Sequence, residues 1–295
     1  MTLNKEQAVQ HLKGAVERAN RSRTSRVVAH PWKLLYPRVL RAMGLSHPTS
    51  TNTFWNGRFD VILPEAVSTH IWQYGFFESD VCTFLLRNLG PGMTFMDVGA
   101  HFGFFTLLGS DLVGARGRVV ALEPMPKTFT QLRKNASQNA AFPNISPVNV
   151  AAYSANTTLL FHDYGLTDAG FNSAFGQRKI TGAAKEVGTL QVSANTCDEV
   201  VAALALKRVD LMKIDAESSE MHVLRGAEGL IKEFGPSIIL EVGDFDLPAV
   251  ARSSDLVEWL SQRGYVAHEC LQGNIVRHQG RDSYAYGNLL FIRGQ

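Results

Sequence analysis

The sequence predicts an α/β fold organised around a βαβ unit, and three observations carry that prediction. Met93–Pro124 reads as strand, glycine turn, helix, strand, with an acidic residue at the end of each strand. Strand-length apolar runs near Pro147–Ala152, Val209–Ile214 and Ser237–Leu240 then alternate with helical segments, the rhythm of a parallel sheet joined by helices. With 295 residues and 45% hydrophobic content, the chain can bury one large core plus an appendage.

The chain opens on a basic arm, taken as residues 1–50. Residues 1–42 hold nine Lys and Arg against Glu6 and Glu17, so this segment is +7, and the chain's net +2 leaves the remainder at −5. Ala8, Leu12, Ala15 and Val16 form a narrow apolar stripe that predicts a helix over Asn4–Asn20. His30–Met43 mixes Trp32, Leu34, Leu35, Tyr36, Val39 and Leu40 with basic residues, a pattern that suits an anionic membrane surface or a lipid-linked substrate. The weightier expectation is that the arm packs on the catalytic domain or on a second subunit of a homo-oligomer. Residues 51–92 read as a hairpin-and-helix subdomain. Thr53–Val61 gives two short strands around Asn56-Gly57, a dipeptide that tolerates positive φ, and Val67–Leu89 keeps helical apolar spacing up to the stop at Gly90-Pro91-Gly92.

The core domain, residues 93–295, begins with the run Thr94-Phe95-Met96 and enters Asp97-Val98-Gly99-Ala100-His101-Phe102-Gly103. Phe104, Phe105, Leu107 and Leu108 follow at helical spacing. Gly99 and Gly103 bracket a turn whose backbone can pass close under a bound molecule. The second strand, Arg118–Leu122, runs into Glu123 and Pro124. An acid at that point of a βαβ unit can accept hydrogen bonds from both hydroxyls of a ribose. A dinucleotide site needs G-x-G-x-x-G to seat a pyrophosphate. Here Asp97 stands at the first of those positions, where a carboxylate would repel a pyrophosphate but suits the ammonium of an amino-acid moiety. The residues therefore favour S-adenosyl-L-methionine over NAD, with Asp97, Gly99, Ala100, His101, Phe102, Gly103, Glu123 and Pro124 as its contacts.

A helix from Lys127 to about Ala140 and a strand near Pro147–Ala152 come next. Asn149, Val150 and Ala151 should lie by the adenine, where small side chains leave room for a flat ring. Asp163–Val192 is glycine-rich with little periodicity, as in a lid or recognition loop, and Tyr164, Phe171, Asn172 and Arg178 could meet a hydroxyl-rich acceptor. The fourth strand, Val209–Ile214, delivers Asp215, Glu217 and Glu220 at the start of a helix, and the fifth ends at Glu241. Ligands bind outside the carboxyl ends of such strands, so Asp215 and Glu241 could face one another across the crevice. Helix capping is the competing role for these acids.

Several of these motifs together resemble the FkbM-type S-adenosylmethionine-dependent methyltransferases. They are Gly75-Phe76-Phe77-Glu78, Asp97-Val98-Gly99-Ala100 with Gly103, Glu123-Pro124, Thr196-Cys197-Asp198, Lys213-Ile214-Asp215-Ala216-Glu217 with Glu220, and Asn288-Leu289-Leu290-Phe291. The match runs over about residues 75–291. It implies a Rossmann-like, seven-stranded class I methyltransferase sheet, closed by a C-terminal antiparallel pair at Tyr265–Cys270 and Leu289–Arg293 after a helix around Leu256–Arg263. It further implies transfer of a methyl group, most often to a hydroxyl of a sugar or natural product. In this class of fold the helix before the first core strand commonly covers the cofactor, which gives Glu78 a binding role. His101 stands where the family usually has Asn, and Ser218 where it usually has Gly.

Methyl transfer to an alcohol needs alignment of donor and acceptor and a group to take the proton. Asp215 ranks first as that base and His101 second, with Glu217 and Glu241 as further candidates. A divalent cation on Asp215 and Glu241 is compatible with their oxygens, yet spacing assigns no metal. The net charge of +2 implies no general affinity for nucleic acid. No apolar run approaches the roughly 20 residues of a membrane span, and the polar N-terminal stretch does not read as a secretory signal. Cys82, Cys197 and Cys270 fit reduced thiols in a cytoplasm. The expectation is a cytoplasmic S-adenosylmethionine-dependent O-methyltransferase with a small, carbohydrate-containing acceptor. An NAD-dependent oxidoreductase, or a cofactor-binding protein that has lost turnover through Ser218, are the alternatives.

Overall fold

Helix α1 (Lys5–Asn20) starts where the Asn4 side chain accepts the Gln7 N–H at 3.1 Å, and it buries Ala8, Leu12 and Ala15, the stripe read from the sequence. Helix α2 (Pro31–Ala42) buries Pro37 and Leu40. The computed structural model describes residues 3–21, 31–138, 143–174, 187–244 and 250–294.

Strands β1 (His47–Asn52) and β2 (Arg58–Leu63) pair antiparallel from His47↔Leu63 to Asn52↔Arg58. This hairpin differs from the tight Asn-Gly turn expected over Thr53–Val61. Residues 53–57 form the loop, with Asn56 at φ 66°, because Phe54 and Trp55 turn into the core instead of pairing. The Trp55 indole also donates to Asp111 at 2.8 Å. The single helix expected over Val67–Leu89 is two, α3 (Ala66–Tyr74) and α4 (Ser79–Asn88). Gly75 takes φ 81° and caps α3 on the Ile71 carbonyl, and Glu78, at φ 39°, opens α4.

The core unit then runs β3 (Thr94–Val98), α5 (Phe104–Val113), β4 (Arg118–Leu122), α6 (Pro126–Gln138) and β5 (Ile145–Val148). A second small sheet follows from β6 (Ala151–Ala152), β7 (Thr157–Asp163) and β8 (Gly188–Asn195), with a 3-10 segment, Leu166–Phe171, after β7. The strand expected over Pro147–Ala152 is thus divided between two sheets. The chain continues through α7 (Cys197–Ala203), β9 (Leu211–Ile214), α8 (Glu220–Gly226), α9 (Glu228–Phe234), β10 (Ser237–Val242) and α10 (Ser253–Ser261). It closes with β11 (Tyr265–Leu271), β12 (Asn274–Arg277) and β13 (Gly287–Arg293).

The main sheet has the order β12-β11-β13-β10-β9-β3-β4-β5. Strands β10, β9, β3, β4 and β5 are parallel, and β13 is antiparallel to both β10 and β11. This is the Rossmann-like class I methyltransferase sheet with β12 added at one edge. Its central strands are buried along their whole length because both faces are covered, and they are apolar except for Thr94 and Asp97 in β3 and Lys213 in β9. One face packs into a cluster that includes Ala8, Leu12, Phe84, Phe95 and Leu108, so α1 shares the core of the sheet; the other holds Met96, Met212, Leu224 and Leu260. The three cysteines carry free thiols, and among the described residues no helix is long and apolar enough to cross a membrane.

Candidate functional site

The chain runs from β3 outward to β4 and β5, then returns to place β9 on the other side of β3. The carboxyl ends of β3 and β9 therefore flank a topological switch point, where open α/β sheets bind ligands. A cavity of about 550 Å³ opens there, within the range of small-molecule sites.

Its floor is set by one close approach. Gly99 follows β3 at φ 73°, and a Cβ on it would lie 1.8 Å from the Asp215 carbonyl oxygen, so the turns after β3 and β9 touch backbone to backbone. The Asp215 N–H also donates to the Val98 carbonyl at 3.2 Å. Any side chain at Gly99 would push the two strand ends apart, which explains the glycine here better than contact with a ligand does.

Glu123, at the end of β4, lines the cavity and accepts the His101 and Met125 backbone N–H groups, each at 3.0 Å. Burial pushes its carboxyl up to about 8 despite these two donors. Gly99, Ala100, His101, Phe102, Pro124, Val150, Ala151, Asp215, Glu217 and Glu241 line the cavity with it. Leu240 pairs with Ile214 in parallel register, so Asp215 and Glu241 leave neighbouring strands side by side.

Four residues expected at the cofactor lie outside the lining: Asn149, whose amide donates to the Glu123 and Pro124 carbonyls at 2.8 and 2.9 Å, and Asp97, Gly103 and Glu78. Asp97 is wholly buried beneath the floor, where its Oδ2 accepts the Thr106 hydroxyl at 2.6 Å and its Oδ1 lies 3.9 Å from Lys213 Nζ. Its carboxylate meets a cation of the protein instead of a ligand's ammonium. Gly103 packs toward Leu132. Glu78 accepts a hydrogen bond from the Tyr286 hydroxyl, and Tyr286 lines the cavity in its place. Burial, with Asp215 next in effect, pushes the Glu78 carboxyl up to about 7 against Lys213 and Tyr286.

The sequence reading missed three residues as site members. Lys213 is 2% exposed, pairs in register with Asp97 and donates to Asp215 at 3.1 Å. Burial pulls its ammonium down, but Asp215, Asp97 and Glu78 outweigh that and hold it above the usual lysine range. A lysine within the apolar run of β9, two residues before an acid on the same face, was the available signal. Glu65 caps α3 by accepting the Val67 and Ser68 N–H groups at 2.9 and 2.6 Å, and it lines the cavity. Tyr286 gave no local signal.

His101 takes φ 51°, stacks on Phe102 with ring centroids 4.1 Å apart, and keeps Nε2 out of contact with water and without a hydrogen-bond partner among the described residues. Burial lowers its pKa, more than the nearby Glu65 and Asp215 raise it, so the ring is neutral near pH 7. After β9, Glu217 and Ser218 turn at φ 48° and 79°. Glu220 secures that turn by accepting the Ala216 and Ser218 N–H groups at 3.0 and 3.2 Å, so it braces the loop before α8, and no side-chain hydrogen bond caps the helix among the described residues. Asn172 lines the cavity and accepts the Tyr164 N–H at 2.8 Å. Arg178 and the side chain of Phe171 lie outside the described residues.

A family model described as Methyltransferase FkbM domain matches residues 97–267, a span that contains the β3 turn, Glu123 and the β9 acids. AMB antimetabolite synthetase AmbE of Pseudomonas aeruginosa is 27% identical over 202 residues, which cover 59% of this chain and only 10% of that protein. The 31-O-demethyl-FK506 methyltransferase FkbM of Streptomyces tacrolimicus is 27% identical over 178 residues, 54% of this chain and 68% of its own length. Hexuronic acid methyltransferase AglP of Haloferax volcanii is 24% identical over 165 residues, 56% of this chain and 62% of its own length.

Proposed function

Because this chain belongs to the FkbM methyltransferase family and is an S-adenosylmethionine-dependent methyltransferase, we propose that its acceptor is a hydroxyl on a sugar or glycosylated natural product. One observation carries this reading: a neutral histidine, His101, lines one cavity with the carboxylates Asp215, Glu217 and Glu241. An alcohol must shed a proton when it is alkylated, and a free imidazole nitrogen is suited to take it. The names of two relatives, one a hexuronic acid methyltransferase and one a methyltransferase of 31-O-demethyl-FK506, agree with a small hydroxylated acceptor.

The residues present fit the cofactor. Glu123 offers lone pairs to ribose hydroxyls, the small side chains of Ala100 and Ala151 leave the turn open, and Met125 and Val150 supply an apolar wall for adenine. When bound, S-adenosylmethionine supplies a methyl group on a sulfonium, ready for in-line displacement. Lys213 fixes one Asp215 oxygen, which leaves Asp215 to orient the acceptor hydroxyl and His101 to accept its proton. This reverses the order in which the sequence ranked the two bases. Phe59, Ile71, Phe77 and Phe105 line the same cavity and give it an apolar wall suited to shielding the transfer from water.

The test is methyl transfer from labelled S-adenosylmethionine to a panel of free sugars, uronic acids, glycosylated macrocycles, amines and carboxylic acids. Hydroxylated acceptors should be labelled, and His101→Ala should lower kcat by about 10²–10⁴-fold with cofactor affinity nearly unchanged. Labelling of amines or carboxylates alone would overturn the acceptor class. A His101→Ala variant that loses cofactor binding but not kcat would make His101 a cofactor contact instead of a base.

A further inference from the structure

Helix α2 packs one side inward and leaves a second apolar stripe outside. It is held by buried Pro37 and Leu40, by Lys33 Nζ donating to the Trp72 carbonyl at 3.0 Å, and by Gln73 donating to the Lys33 carbonyl at 2.8 Å. Trp32, Leu35, Val39 and Met43 recur at i, i+3, i+7 and i+11 on the opposite face, and the Met43 N–H continues the helical bonding to the Val39 carbonyl at 3.0 Å. These four side chains are between 49 and 64% exposed, and Leu45 beyond them is 49% exposed. A surface helix ordinarily turns such a stripe toward the core. Here Trp32 meets Trp72 edge-on, with ring centroids 5.0 Å apart, while Leu35, Val39 and Met43 stay exposed beside it, in a patch of the kind that marks an interaction site.

We propose that this face of α2 docks on an anionic lipid surface. The stripe lies in the most basic part of the chain: residues 1–42 are +7, and Arg38 stands exposed on its flank. A tryptophan and aliphatic side chains on one face, with basic residues beside them, is the pattern of a helix lying in the headgroup region. A second copy of the chain fits this face less well, because a two-fold contact through it would bring the exposed Arg38 of each copy toward the same interface. Lipid phosphates complement the same charge.

Docking there would bring the α3 wall of the cavity toward the membrane. Helix α3 separates the two: Trp72 and Gln73 hold α2, while Ala66, Val67 and Ile71 on α3 line the cavity. Arg41, at the end of α2, donates to the Pro64 carbonyl at 3.0 Å and to Asp168, a cavity-lining residue, at 3.1 Å. A cavity one helix away from the docked face suits a hydroxylated acceptor carried on a lipid; this last step rests on the proposed acceptor class, and the docking itself does not.

The experiment is co-sedimentation of the full chain with phosphatidylcholine vesicles, with and without phosphatidylglycerol, for wild type and the double variant Leu35→Ser/Val39→Ser. Wild type should partition onto the phosphatidylglycerol vesicles, less at high salt, and the variant should partition about 30-fold more weakly. Calorimetric binding of S-adenosylmethionine by the variant verifies that it is folded. Equal partitioning of the two proteins, no partitioning by wild type, or a wild-type dimer in sedimentation velocity that the variant dissociates would each overturn the docking proposal. None of these readouts depends on methyl transfer, so a failure of the acceptor reading would leave them unchanged.

Discussion

Lys213→Met takes the cation away from a carboxylate that cannot reach water. Asp97 is wholly buried, its Oδ2 holds the Thr106 hydroxyl, and its Oδ1 makes no hydrogen bond and faces Lys213 Nζ at 3.9 Å. Asp215, with a side chain 22% exposed, can turn to solvent; Asp97 cannot. Methionine nearly matches the lysine stem in volume, so the packing term is small. Leaving one partner of a buried pair uncompensated costs about 3–5 kcal/mol. The loss should depend on pH. Burial already holds the Asp97 carboxyl above the usual aspartate range, with Lys213 pulling it down, and removal of the lysine raises it further. The folded variant then keeps a proton that the unfolded chain releases above about pH 4, so its stability falls as pH rises. Lys213 itself, raised above the lysine range, contributes stability that is complete below about pH 10 and is not lost in the window tested. Urea unfolding of both proteins at pH 5.5 and pH 8, followed by tryptophan fluorescence, measures the effect. A loss below about 1 kcal/mol, or an equal loss at both pH values, would refute the reasoning.

Two further outcomes are expected. Ser218 holds φ 79° with its hydroxyl buried and without a hydrogen-bond partner among the described residues; Ser218→Gly should stabilise by about 1 kcal/mol and raise Tm by about 2–4 °C, as thermal unfolding will show. Glu123, pushed up to about 8, is mostly protonated at neutral pH before the cofactor arrives. Ribose hydroxyls bond best to the carboxylate, so the Kd for S-adenosylmethionine should fall by close to tenfold per unit between about pH 6 and 8 and level off above that. Calorimetry in buffers of differing ionisation enthalpy should register the released proton, and a flat affinity would contradict the assignment.

The legible parts of the site were those whose signals are local. The Asp97–Gly103 turn, Glu123 after β4 and Asp215 after β9 each follow an apolar run directly, and the sheet brings their backbones together. Asp97 misled because its type and position were correct while its partner, Lys213, lies on another strand. Glu78 and Tyr286 meet across the fold, and nothing near either residue announces the other. Hairpin signals failed in both directions. Asn56-Gly57 proved part of a longer loop because two aromatic side chains gained more from burial than from pairing. Gln272-Gly273, both at positive φ, makes the two-residue turn between β11 and β12 that was not anticipated. The break between α3 and α4 was carried by Gly75 alone, within spacing that otherwise suits a continuous helix.

Placement of the cofactor over Glu123 at the β3–β9 switch point is tested most directly by titrating S-adenosylmethionine into wild type and Glu123→Ala in a calorimeter. The account predicts saturable single-site binding by wild type and a loss of about 100-fold in the variant, from two hydrogen bonds to a charged acceptor. Absence of binding by wild type, or equal affinity in the two proteins, would contradict it.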